Sequence, residues 1–148
     1  MRKINLLVLT LLMTATIAAQ TPTKEQQAVQ QTIENMFTAL SHSDTSALKM
    51  YVTRDVNFLE YGQIWNIDTI VHKAMLGKTI PDFNRINSFK YVSTTINQKT
   101  AWVTYYLQST ITKGGKEEIV KWLETVILIR SRNFWKINVL HSTRLGNR

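Results

Sequence analysis

Two long runs near the end of the chain, Ile119 to Arg130 and Phe134 to Leu145, are rich in β-branched and aromatic residues and flank the polar break Ser131-Arg132-Asn133. Such a pair predicts a β-hairpin. Strict alternation along the second run puts Trp135, Ile137, Val139 and His141 on one face and Lys136, Asn138 and Ser142 on the other. In the first run Thr125 and Ile127 share the inward phase, and Trp122, Val126 and Leu128 alternate away from them. Both faces of that strand are therefore largely apolar, and its outer face needs cover.

Upstream, Phe89 to Ile96 and Ala101 to Ile111 read as two further strands. Asn97-Gln98-Lys99 and Lys113-Gly114-Gly115-Lys116 supply the turns, the glycine pair being a good hairpin tip. The first half of the chain changes period. Thr23-Lys24-Glu25-Gln26 has the form of a capping box, and Val29, Ile33, Met36, Phe37 and Leu40 then recur at helical spacing. A first helix is predicted from about Lys24 to Leu40. Asp44 caps a short second helix with Ala47, Leu48 and Tyr51 inward. Arg54-Asp55 is expected to turn the chain into a strand over Val56 to Tyr61, punctuated by Gly62, and Gln63 to Ile67 to form a shorter extended piece. Asp68 is expected to cap a third helix that buries Ile70, Val71, Ala74 and Met75 and ends near Gly77. Lys78 to Asn87, with Pro81, has no clear period and is expected to be a loop. Helices first and antiparallel strands after give an α+β pattern, a sheet with helices on one face.

The chain has 148 residues, the size of one domain. Its start differs from the rest. Arg2 and Lys3 precede an apolar or small run, Leu6 to Ala19, interrupted only by threonines, and Ala18-Ala19-Gln20 offers small residues for a cut. This is the pattern of a secretory signal peptide over residues 1–20, so residues 21–148 are expected to be the mature domain, periplasmic or extracellular. The run is too short to favour a membrane span, and no stable membrane insertion is expected once it is removed. The absence of cysteine rules out disulfides, thiol catalysis and cysteine metal sites. The formal charge of +8 falls by two when Arg2 and Lys3 leave, and the remaining basic residues are scattered and interrupted by Glu117 and Glu118. A nucleic-acid reader needs a clustered basic patch, so none is expected as a partner.

Ala39, Asp44, Leu48 and Arg54-Asp55-Val56 at the front, with Thr125, Ile127, Trp135-Lys136-Ile137 and His141-Ser142 at the back, give the chain its resemblance to a known group. It resembles the SnoaL-like and ketosteroid-isomerase-like domains of the nuclear transport factor 2-like superfamily. The resemblance implies a cone-shaped barrel, three N-terminal helices packed on a strongly curved antiparallel sheet, with a pocket inside. Relatives commonly dimerise through the sheet, which implies a homodimer through Trp122, Val126 and Leu128. Against the steroid-isomerase branch, Glu60 falls at the position of the general base, Met36 at that of the oxyanion tyrosine and Ile127 at that of the protonated aspartate. A base without an oxyanion hole lacks what is usually the largest catalytic contribution, so steroid-type isomerisation is not expected.

Candidate chemistry follows from the alternation. Glu60 shares a phase with Val56 and Phe58, so it is a carboxylate entering an apolar pocket, where its pKa rises. His141 shares a phase with Trp135, Ile137 and Val139, where a histidine could shuttle a proton or orient a ligand. Together they form a candidate acid–base pair. Tyr51, Phe58, Trp65, Tyr105, Thr125, Ile137 and Val139 are the expected ligand-lining residues. Asp68 and His72 lie four apart, but two ligands do not make a metal site, and no metal or cofactor is expected. Gly77-Lys78-Thr79 lacks the first glycine of a phosphate-binding loop and ends a helix instead of starting one. Three functional classes remain: a binder of a small apolar or aromatic molecule, a small isomerase, dehydratase or hydrolase using Glu60 and His141, and a non-catalytic association domain.

Overall fold

A computed structural model describes residues 21–146. Three helices, α1 (Lys24–Ser41), α2 (Thr45–Met50) and α3 (Ile67–Gly77), cover one face of a six-stranded sheet. The strands are β1 (Val52–Glu60), β2 (Gln63–Trp65), β3 (Asn84–Asn97), β4 (Thr100–Lys113), β5 (Lys116–Ser131) and β6 (Phe134–Arg144). Their order across the sheet is β2-β1-β6-β5-β4-β3. Neighbours pair antiparallel except β1 and β6, which run parallel. The sheet is curved and unclosed, and the architecture is the expected α+β cone. The segment with signal-peptide character lies outside the described residues. Among those residues no helix is long and apolar enough to cross a membrane.

Local chemistry sets the element ends. The Thr23 hydroxyl accepts from the Gln26 amide and the Gln26 side chain accepts from the Thr23 amide, completing the capping box. Asp44 caps α2 by accepting from the Ala47 amide. Asn66, not Asp68, caps α3, accepting from Thr69. Asp68 sits in the first turn instead, where a negative charge complements the helix dipole. Within α3 Ile70 and Ala74 are buried, whereas Met75 is exposed. Arg54 and Asp55 do not turn the chain; they lie within β1. Nor is Lys78 to Asn87 all loop, because β3 begins at Asn84.

The core lies between the helices and the inner face of the sheet. Ala101, Val103, Tyr105 and Leu107 of β4 and Trp122, Val126 and Leu128 of β5 are buried there beneath Val29, Ile33, Met36 and Phe37 of α1. The phase expected for β5 is therefore inverted. Thr125 and Ile127 face outward, and Trp122, Val126 and Leu128 are core residues rather than an outer dimer surface. Apolar side chains occupy both phases of this strand, so alternation alone did not decide between them. The pairing with β4 decides it, since Leu107, Tyr105 and Val103 stand opposite Trp122, Glu124 and Val126.

A single extra residue changes β6. Ile127 pairs with Val139 but Leu128 pairs with Ile137, leaving Asn138 bulged between them. Its side chain donates to Thr53 Oγ1 at 3.0 Å, on β1. Trp135 and Ile137 face the core before the bulge, and Leu140 and Ser142 face it afterwards. Val139 and His141 are turned to the other side, and His141 is exposed. A one-residue slip reverses the faces of every following side chain.

Candidate functional site

Beneath the helices the sheet leaves a chamber of about 80 Å³, lined by Met36, Phe37, Leu40, Phe58, Glu60, Ile70, Arg85, Trp122, Glu124, Leu140 and Ser142. A vestibule of about 180 Å³ shares Leu40, Glu60, Ile70 and Arg85 with it and adds Trp65, Lys73, Ala74, Gly77 and Phe83. The apolar walls come from α1, α3, β1, β5 and β6. The polar groups come from four different strands and act on one another: the charges of Glu60, Arg85 and Glu124 interact, and Ser142 bonds to Glu124.

Each polar residue is delivered by a specific local arrangement. Glu60 is the last residue of β1, in phase with Val56 and Phe58. The chain then reverses through Tyr61 (φ 51°) and Gly62 (φ 71°), a two-residue loop with both dihedrals positive that lays β2 back on β1. Burial raises the Glu60 pKa, opposed by the charges of Arg85 and Lys73. Arg85 lies early in β3, in phase with Asn87, Phe89 and Tyr91. Burial pulls its pKa down, while Glu124 and Glu60 support its charge.

Glu124 of β5 is 3% exposed. It accepts hydrogen bonds from the Tyr105 hydroxyl at 2.6 Å and from the Ser142 hydroxyl. Burial pushes its pKa up to about 7 against the opposing pull of those two bonds. Tyr105 is fully buried, and burial together with the Glu124 carboxylate holds its pKa well above the ordinary value. The hydroxyl is thus a fixed donor to Glu124. A second tyrosine beside it, Tyr91, donates to Glu34 Oε1 at 3.1 Å, with ring centres 5.7 Å apart.

Of the sequence-derived pair, Glu60 reaches the chamber and His141 does not, because the bulge at Asn138 turns the histidine to the outer face. Ser142, assigned by alternation to the outer side, takes the inner one. Among the expected liners Phe58 faces the chamber and Trp65 the vestibule. Tyr105 acts behind the wall, through Glu124. Ile137 is core. Val139 and Thr125 lie on the outward side. Tyr51 ends α2 half-buried, its carbonyl accepting from the Ile137 amide. Arg85 and Glu124 went unassigned in the sequence. The signal for Glu124 was a lone carboxylate in the phase Val120, Trp122, Val126, Leu128; for Arg85 it was an alternation running back from Tyr91 through Phe89 and Asn87. Among the described residues no cluster of three or more metal-ligating side chains forms.

No family model matches the chain, and no curated protein is similar to it. Solved structures share its fold. A calcium/calmodulin-dependent kinase II hub homology domain from Chlamydomonas reinhardtii is 14% identical, with a TM-score of 0.73 over 83% of this chain and 100% of that one. A nuclear transport factor 2-like protein from Cytophaga hutchinsonii is 13% identical, with a TM-score of 0.68 over 83% and 100%. A ketosteroid isomerase-like protein from Erwinia carotovora is 15% identical, with a TM-score of 0.65 over 84% and 98%. The chain therefore has the nuclear transport factor 2-like fold, and a fold hosts many functions.

Proposed function

We propose that the chain is an exported protein that binds a small, mostly apolar molecule in the cone chamber. One observation carries this reading: an apolar chamber with a vestibule is lined by interacting charged and hydroxyl groups from separate strands. That is the usual build of a ligand pocket, apolar walls for affinity and a few polar groups for orientation. Export rests on the signal-peptide pattern of residues 1–20. The test is thermal melting of the protein against a panel of small aromatic and aliphatic compounds, beside the variant Ile70→Trp, which fills the chamber from α3. A ligand raises Tm by mass action. Compounds that stabilise the natural protein are expected to lose their effect in Ile70→Trp. The reading fails if no compound stabilises the protein or if the stabilisation survives the filling.

A second reading is an acid–base enzyme of the isomerase, dehydratase or hydrolase type. What favours it is that Glu60 and Glu124 both line the chamber with raised pKa values. In that reading Glu60 is the base, and Glu124 takes the place given to His141 from the sequence alone. Loss of turnover in both Glu60→Gln and Glu124→Gln, with ligand binding retained, would separate catalysis from binding.

Association is a third property, compatible with either. The chain's similarity to a hub homology domain and to an association domain favours self-association, and the outer face of the sheet, which exposes Trp102, Tyr106 and Ile127, offers an apolar surface for it. We propose a homodimer there, with these residues in place of Trp122, Val126 and Leu128.

A further inference from the structure

Arg85 is held unusually firmly for a residue with nothing to hold. Its Nε–H donates to Asn87 Oδ1 at 3.1 Å and to Ser109 Oγ at 3.2 Å. Those acceptors are themselves locked, since Ser109 donates to Asn87 Oδ1 at 2.6 Å and Asn87 Nδ2 donates to Ser41 Oγ at 2.9 Å. The guanidinium carbon lies 5.6 Å from the Phe37 ring centre and 5.5 Å from that of Trp122, so aromatic rings flank the plane. Yet the terminal nitrogens have no acceptor among the described residues, and none of the ion pairs formed by those residues includes Arg85. A second donor nearby is also unmet. Trp122 is 7% exposed, and its Nε1–H is the one buried side-chain polar atom without a partner among the described residues. An unpaired buried donor is costly to keep, so its persistence asks for a use.

We infer that the chamber takes a small monocarboxylate, its apolar part against Phe37, Phe58, Ile70 and Leu140 and its carboxylate paired through two hydrogen bonds with the terminal nitrogens of Arg85. The inference rests on the ligand-binding reading above and gives it a chemical class. A guanidinium fork matches a planar carboxylate in both charge and geometry, and aromatic flanks with a bonded Nε fix the fork before the ligand arrives. Trp122 also lines the chamber, so its unmet Nε1–H is a second donor that a bound carboxylate could satisfy. Two acids face Arg85, Glu60 from β1 and Glu124 from β5, and Tyr61 and Tyr105 lie near it. Burial drives both acids toward their neutral forms, so they oppose an incoming anion less than ordinary carboxylates would. Size sets the remaining bound. A chamber of about 80 Å³ opening on a vestibule of about 180 Å³ accommodates one ring or a short chain, since a cavity of about 150 Å³ accepts benzene.

The test is calorimetric titration of the full-length protein with sodium benzoate, benzyl alcohol and benzylamine, compounds of nearly one size that differ in charge. Benzoate is expected to bind at least about tenfold more tightly than the alcohol, with the amine weakest. Arg85→Lys keeps the charge but loses the fork, and is expected to cut benzoate affinity about tenfold while leaving benzyl alcohol within about twofold. Alcohol or amine binding as tightly as benzoate overturns the inference and leaves the ligand-binding reading standing. Equal losses for all compounds in Arg85→Lys overturn it too. Absence of heat from all of them also overturns it, and the broader reading is then judged separately by the compound panel and Ile70→Trp. If Arg85→Lys fails to fold, the ranking of the compounds on the natural protein decides alone.

Discussion

At the scale of single residues, Glu124 is the carboxylate whose ionisation the fold most opposes. Its folded pKa of about 7 lies above the ordinary 4.5. The folded state therefore keeps a proton that the unfolded chain gives up, and stability falls as pH rises from the lower value through the higher one. The effect of this group alone reaches roughly 3 kcal/mol, from about 1.4 kcal/mol per pKa unit. Glu124→Gln removes the ionisation and keeps an acceptor for the Tyr105 hydroxyl. The variant is expected to flatten the loss of stability between about pH 5 and pH 8, measured by urea unfolding across that range. An unchanged slope in the variant counts against the assignment. Glu60 was legible because β1 alternates without interruption from Val56 to its end. His141 was misread because Asn138, one polar residue among polar and apolar neighbours, gives no sign in the sequence that it bulges. The bulge is selected by pairing with β5 and by the bond from Asn138 to Thr53, both long-range.

At the scale of elements, the ends carry the local specification. Thr23→Ala removes one partner of the capping box and is expected to cost about 1 kcal/mol, read as a lowered urea midpoint. The turn before β3 does something the sequence did not announce. Both carboxylate oxygens of Asp82 accept at 2.7 Å from the backbone amides of Gly114 and Gly115, tying that turn to the β4–β5 tip. The tip itself needs positive φ at both positions (58° and 71°), which glycine adopts freely. Asp82→Ala is expected to speed hydrogen exchange at the Gly114 and Gly115 amides with only a small loss of global stability, because the site is exposed. β3 starts just beyond the clamp, at Asn84, with Arg85 in strand phase with Phe89. A proline and a run of polar residues hid that extension from the period. Helix positions and strand identities were legible because their apolar spacing is regular. Sheet faces were not, wherever both phases are apolar, as in β5.

At the scale of the whole molecule, the sheet has two apolar surfaces, and the helices cover only one. Trp102 pairs across with Ile127, and Tyr106 with Leu123, on the open side. Sedimentation of the natural protein at micromolar concentration is expected to give a dimer, and Trp102→Lys with Ile127→Lys a folded monomer; a natural protein that sediments as a monomer contradicts the homodimer. The covered side holds the chamber, and the four tryptophans of the chain report on the parts separately. Trp122 lines the chamber and Trp65 the vestibule, whereas Trp135 is core and Trp102 lies outside. The most direct measurement is therefore the indole N–H spectrum of isotope-labelled protein during titration with benzoate. Binding in the cone predicts that the Trp122 and Trp65 signals move together and saturate while Trp102 and Trp135 stay fixed. Movement of Trp102 alone, or of none, would contradict it.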